Sequence, residues 1–129
     1  MTAKDFTACA EIEIPFADLD PLDVVWHGNY WRYFDEARSR LLRSIDYDYL
    51  QMRESGWLWP VVHCSCRYLK PLSYGQRVRV CATLTEYELL LKISYVIEDP
   101  ETGEKYAKAE TTQVAVTAQT GETSMGSPH

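Results

Sequence analysis

A chain of 129 residues with 46% hydrophobic and 25% charged side chains has the size and composition of one domain with one core, which excludes a wholly disordered chain, a fibrous repeat or two independent cores. Its formal net charge of -6 argues against bulk binding to nucleic acid or to an anionic membrane, since both require local positive potential. No stretch reaches the roughly 20 apolar residues of a membrane span, and the opening MTAKDFTACAEIEI lacks the basic run and apolar stretch of a signal peptide. These features predict a cytoplasmic protein in which Cys9, Cys64, Cys66 and Cys81 stay as free thiols.

From Cys9 to Phe16, Ile12 and Ile14 alternate with Glu11 and Glu13, the period of a half-buried strand, and Pro15 puts it near an edge or a bend. An acidic loop from Ala17 to Asp23 follows. Tyr30, Phe34, Ala37, Leu41 and Ile45 then recur at spacings of four, three, four and four, while Asp35, Glu36, Arg38, Arg40 and Arg43 fill much of the other side. That pattern predicts an amphipathic helix of about five turns. DYDYLQMRESG, ending at Gly56, reads as a second, shorter helix or an irregular turn.

Past Gly56 the period changes to two. WLWPVVHCSCRYL, QRVRVCATLTEY, LLLKISYVIED and EKYAKAETTQVAVTA read as four strands, divided by turn chemistry at KPLSYG and DPETG and by a short joint around Tyr87 and Glu88. In DPETG, Gly103 takes a left-handed position. Ala107, Ala109, Thr111 and Ala115 share a face whose small side chains let a helix approach closely. One helix and five strands predict an α+β fold, an antiparallel five-stranded sheet wrapped around one long central helix. A single domain over residues 1–118 and a flexible tail over 119–129 complete the expected organisation.

HCSC at residues 63–66 invites a metal reading, but in a strand the two thiols project from one face and His63 from the other, and no second ligand pair follows. No metal and no cofactor are expected.

The order strand, acidic loop, long helix, antiparallel strands, together with Asp18-Leu19-Asp20-Pro21-Leu22-Asp23-Val24-Val25-Trp26-His27-Gly28-Asn29-Tyr30 and Tyr33-Phe34-Asp35-x-Ala37-Arg38, resembles the hotdog-fold acyl thioesterases of the 4-hydroxybenzoyl-CoA thioesterase and YbgC type, to about Thr117. The resemblance implies hydrolysis of an acyl-CoA or acyl-carrier-protein thioester. It implies that Asp20 is the catalytic carboxylate and that the backbone amide of His27, opening the helix, polarises the thioester carbonyl. It also implies a pocket to which Val25, Trp26, Tyr30, Trp59 and His63 are the candidate contributors, and edge-to-edge pairing of protomers into a dimer or homotetramer. Where this chain has Asp23 the family pattern has glycine; aspartate tolerates the left-handed backbone such a position requires, or caps the helix instead.

The chemistry stands without the family. A thiolate whose conjugate acid has a pKa of about 8.5 leaves without a strong general acid, so one carboxylate suffices, attacking the carbonyl or taking a proton from water. Unpaired amides at a helix start supply the other requirement, charge stabilisation on the oxyanion. Competing readings are open for most of these residues: Asp18 and Asp23 as a cap or a loop hydrogen-bond acceptor, Trp26 and Trp59 as core packing, His63 as a hydrogen-bonded filler, and Arg67, Lys70, Arg77 and Arg79 as a solvated face rather than a grip on the nucleotide phosphates. At the level of function the rivals are a 3-hydroxyacyl-thioester dehydratase on the same fold, using His27 or His63 with Asp20, and a non-catalytic acyl-CoA-binding module.

Overall fold

Strand β1 (Thr7–Glu13) opens the computed structural model, which describes residues 6–45, 56–87 and 90–117. Two 3-10 turns, Phe16–Asp18 and His27–Asn29, lead into helix α1 (Tyr30–Ser44). Strands β2 (Trp57–Leu58), β3 (Val61–Tyr68), β4 (Arg77–Glu86), β5 (Leu90–Glu98), β6 (Lys105–Val114) and β7 (Val116–Thr117) follow. Five of them form one antiparallel sheet in the order β1-β4-β5-β6-β3, and β2 pairs with β7 apart from it. The expected α+β architecture, one long helix against an antiparallel five-stranded sheet, is what the chain adopts. The second helix or turn expected at residues 46–55, the joint at 88–89 and the tail from 119 lie outside the described residues.

The alternation that predicts the strands also orients them. Val78, Val80, Ala82 and Leu84 of β4 and Leu91, Ile93, Tyr95 and Ile97 of β5 are buried on one face. Against that face α1 sets Tyr30, Tyr33, Phe34, Ala37, Leu41 and Leu42, its apolar stripe at the helical period. Burial of a side chain such as Phe34 contributes about 1.5–3 kcal/mol. The helix lies mainly across β1 and β4, not over the small residues of β6, among which Ala107 joins the core and Thr111 bonds the Tyr95 hydroxyl at 3.0 Å. No described helix is long and apolar enough to cross a membrane.

Three expectations need correction. The run from Trp57 breaks between β2 and β3 at Trp59-Pro60, because proline has no N–H for the ladder. The last run likewise divides at Ala115. The four cysteines are not all free: Cys9 on β1 stands directly opposite Cys81 on β4, and the two form a disulfide, while Cys64 and Cys66 stay as thiols. Antiparallel register brings together two residues 72 apart in the chain, which cysteine spacing cannot disclose.

On the outer face, away from the helix, Glu98 takes a charge-assisted hydrogen bond from Lys105 and pairs with Arg79 at 3.2 Å. Those partners, Lys105 foremost, hold its carboxyl below the usual glutamate range, against the opposing effect of burial. A carboxyl whose pKa falls on folding stabilises the native state above its unfolded pKa, and that contribution disappears as the pH drops through the folded value. Glu98→Gln is therefore expected to cost about 1–2 kcal/mol at neutral pH, a deficit that narrows below about pH 4. Thermal melts of both proteins across pH 2.5–7.5 measure it; a deficit that is constant with pH would show that the charge is not the stabilising element.

Candidate active site

Between β1 and α1 the chain makes a small closed loop before it enters the helix. Leu19 and Val25 face each other as an isolated antiparallel bridge. Inside it the Asp20 N–H donates to the Val24 carbonyl at 2.9 Å, and the Asp23 N–H to the Asp20 carbonyl at 3.0 Å. The Leu22 N–H donates to Asp20 Oδ1 at 2.8 Å. Asp23 has φ 63°, the left-handed conformation for which the family pattern uses glycine. It shapes the loop and caps nothing: neither Trp26 nor Asn29, the residues at the two helix starts, receives a side-chain cap.

Val25 is anchored through its N–H to the Leu72 carbonyl at 2.8 Å, and Trp26 through its N–H to the Asp18 carbonyl at 3.2 Å. The 3-10 turn His27–Asn29 then passes directly into α1, with the Tyr30 N–H donating to the His27 carbonyl. No backbone hydrogen bond among the described residues takes up the N–H of His27 or Gly28. Two donors at the positive end of a helical segment are thus left for another acceptor.

Asp20, Val25, His27 and Tyr30 line one side of an open cavity of about 310 Å³, and Tyr68 and Lys70 line the other. Tyr68, at the end of β3, sets its ring edge-on to Tyr30 at 4.9 Å and to His27 at 5.9 Å, and its hydroxyl lies 3.4 Å from the His27 carbonyl. Burial, then a hydrogen bond with Cys66, pushes the Tyr68 phenol up to about 12, so it stays protonated at neutral pH. Burial also raises the Tyr30 phenol. Lys70 is bound to Glu104 at the surface. Trp26 flanks His27 at 5.2 Å, half exposed, and its indole lies so close over Gly28 that a Cβ there would fall 2.2 Å from the ring. A larger residue at 28 would have to push the half-exposed indole aside.

Behind the loop, Asp18 is 5% exposed. Its carboxylate accepts the Tyr33 hydroxyl at 2.5 Å and the Arg32 guanidinium, and its carbonyl accepts Asn29 Nδ2 at 3.0 Å as well as the Trp26 N–H. Of the two alternatives for this residue, it is a loop hydrogen-bond acceptor and not a cap.

The structure brings Asp20, Val25, His27 and Tyr30 together and leaves Trp59 and His63 elsewhere. Trp59 packs half-buried against the core, and its carbonyl accepts Gln113 Nε2 at 2.6 Å. Strand alternation predicts Trp59, Val61 and His63 on one face. A bulge undoes this: Val61 stands opposite Gln113 but His63 opposite Thr112, so His63 turns to the exposed outer side. Cys64, Cys66 and Tyr68 consequently share the helix side, opposite Thr111, Ala109 and Ala107. The sequence reading missed Tyr68, and the signal that marks it is its even spacing from the two thiols at a strand end. Of the candidate cations only Lys70 borders the cavity; Arg77 and Arg79 pair with Glu11 at 3.9 Å and Glu98 at 3.2 Å.

Comparison with known proteins agrees with this architecture. The profile of the thioesterase-like superfamily matches residues 14–128. YneP of Bacillus subtilis, a protein inferred to be an acyl-CoA thioesterase, is 32% identical over 107 residues, 82% of this chain and 77% of YneP. Among solved structures, a DHNA-CoA thioesterase from Staphylococcus aureus superposes with a TM-score of 0.80 at 27% identity, covering 91% of this chain and 78% of that one. Slr0204 of Synechocystis, a 1,4-dihydroxy-2-naphthoyl-CoA thioesterase, superposes with a TM-score of 0.82 at 24% identity, covering 95% and 90% respectively; it supports the fold.

Proposed function

The chain belongs to the thioesterase-like superfamily, and from that premise we propose that it hydrolyses an acyl thioester of coenzyme A or of an acyl carrier protein to the free acid and thiol. The observation that carries the reading is that one cavity is lined by both Asp20 and His27, whose N–H no backbone group among the described residues takes up. With the acyl carbon in that cavity and its oxygen against the His27 N–H, Asp20 acts in one of two ways. As a general base it takes a proton from water, the water oxygen bonds to the acyl carbon, and the C–S bond breaks as the tetrahedral oxyanion collapses. As a nucleophile its oxygen bonds to the acyl carbon, the thiolate leaves, and water cleaves the mixed anhydride. In both the leaving thiolate takes up the proton that the attacking water gives up and so ends as thiol, and the amide donors stabilise the oxyanion.

Val25 and Tyr30 border the acyl group in this reading, whereas Trp26, expected to contribute to the pocket, flanks His27 and is not among the residues that line the cavity. YneP and the DHNA-CoA thioesterase, named for coenzyme A thioesters, favour that carrier for the present chain. The cytoplasmic location expected from the sequence is part of the same proposal, without the free-thiol argument, which the Cys9–Cys81 disulfide removes. So is a homo-oligomer: β3 is an edge strand exposed along nearly its whole length, with Val61, Val62 and Tyr68 open to solvent, and pairing with a second copy covers both its apolar side chains and its free ladder groups.

The test is a thiol-release assay over aromatic and aliphatic acyl-CoA and acyl-carrier-protein substrates. Turnover on at least one is expected. Ligand retention without thiol release would instead support a binding module, and enoyl formation from a 3-hydroxyacyl thioester a dehydratase.

A further inference from the structure

We propose that Asp18 is a positioning residue for this hydrolysis: its buried carboxylate and its carbonyl together hold the loop that carries Asp20 in register with the helix start that offers the His27 N–H. The inference rests on the thioesterase reading above. Asp18 does not line the cavity, so it acts through other groups.

The geometry is that of a clamp. One residue accepts four hydrogen bonds: from Tyr33 and Arg32 in the first turn of α1, from Asn29 in the 3-10 turn, and from Trp26, the neighbour of His27. Nothing else sets the angle at which the chain enters the helix by a cap, since both helix starts lack one. The partners are unequal. The Arg32 side chain is 63% exposed, so water screens its charge, whereas Tyr33 is buried and its hydroxyl has Asp18 as its acceptor. Burial and then the Asp18 carboxylate push the Tyr33 phenol well above its ordinary value, which keeps the proton on the tyrosine and the hydrogen bond charge-assisted.

Asp20 is two residues further on, about 6.6 Å of extended chain, and its own hydrogen bonds, to Leu22, Asp23 and Val24, all stay within the loop. The loop therefore keeps its shape if Asp18 lets go, but its placement against His27 changes. A misplacement of about 1 Å is enough to cost on the order of a hundredfold in rate.

The experiment compares wild type with Tyr33→Phe, Asp18→Asn and Asp18→Ala, each assayed well below its own melting temperature, with Asp20→Asn as the reference for the reading itself. Tyr33→Phe and Asp18→Asn are expected to lower kcat about 10–100-fold with KM within about threefold, and Asp18→Asn, which keeps an oxygen acceptor for Tyr33, to retain more activity than Asp18→Ala. Amide exchange at Trp26 and Asn29, whose N–H groups donate to the Asp18 and Trp26 carbonyls, is expected to quicken in Tyr33→Phe, a shape-conserving change that keeps the protein folded even if Asp18→Ala does not fold. Wild-type kcat in Tyr33→Phe and Asp18→Asn with Asp20→Asn inactive, or unchanged exchange at the helix start, overturns the positioning role alone. Full turnover by Asp20→Asn overturns the functional reading and this inference with it.

Discussion

Asp20→Asn is expected to lower kcat for thioester hydrolysis about 10²–10⁴-fold, the range for removal of a general base, and more if the carboxylate is the nucleophile. Asparagine has the same shape and keeps an oxygen for the Leu22 N–H, so the loop and the bridge between Leu19 and Val25 persist. Stability should stay within about 0.5 kcal/mol of wild type, as for a substitution that opens no cavity and strands no buried group. KM should change little, because in the proposed mechanism Asp20 acts on the reacting atoms and not on the carrier. Among the three acids of the segment only Asp20 meets the requirement: Asp18 is fully engaged behind the loop, and Asp23 supplies a left-handed backbone. In Asp20, Oδ1 takes the Leu22 N–H, and no hydrogen bond among the described residues engages Oδ2. Thiol release by stopped or continuous assay, beside a thermal melt, decides the matter: retention of more than a tenth of wild-type turnover would remove Asp20 from the chemistry.

What the sequence discloses and what it conceals divide along the range of the interactions involved. Periodicity is local, so the α1 stripe from Tyr30 to Leu41 and the alternation of β4 and β5 are readable, as is the left-handed turn at Gly103, where the N–H groups of Glu101 and Thr102 donate to Asp99. The left-handed residue at 23 is half readable: aspartate is among the few residues that tolerate that backbone, but the residue type alone leaves a helix cap equally open. Asp20, His27 and Tyr30 share a side of the cavity because they lie within eleven residues of one another, around one tight loop and one helix start. Non-local facts are concealed. The Cys9–Cys81 disulfide depends on the register of two strands, and the placement of His63 on the outer face depends on one extra residue between Val61 and His63 in β3. A period of two cannot reveal its own interruption, and a single bulge reverses every side chain beyond it. The same bulge turns Tyr68 toward the helix side, which is why the far wall of the site was not legible.

Two substitutions at one position separate the backbone of residue 27 from its ring. His27→Pro removes the N–H and the imidazole; His27→Ala removes the imidazole alone. Proline is structurally admissible there: Trp26 has φ -61° and ψ 133°, the extended conformation a residue before proline must adopt, and the first position of a helical turn needs no N–H for the helix itself. The His27 carbonyl still accepts the Tyr30 N–H in either variant. Loss of one oxyanion donor typically costs about 10²–10³ in kcat, or about 2.7–4 kcal/mol, so His27→Pro is expected to fall by that factor with a melting temperature close to that of His27→Ala. His27→Ala loses ring contacts with Trp26 and Tyr68, both at a partly exposed site, and is expected to keep turnover within about fivefold, since surface contacts of this kind are worth about 0.5 kcal/mol. Near wild-type kcat in both variants would show that the amide contributes nothing. If both are equally inactive, the imidazole itself is in the chemistry, which is the arrangement a dehydratase acting on 3-hydroxyacyl thioesters requires, and assays for enoyl formation then become the decisive measurement.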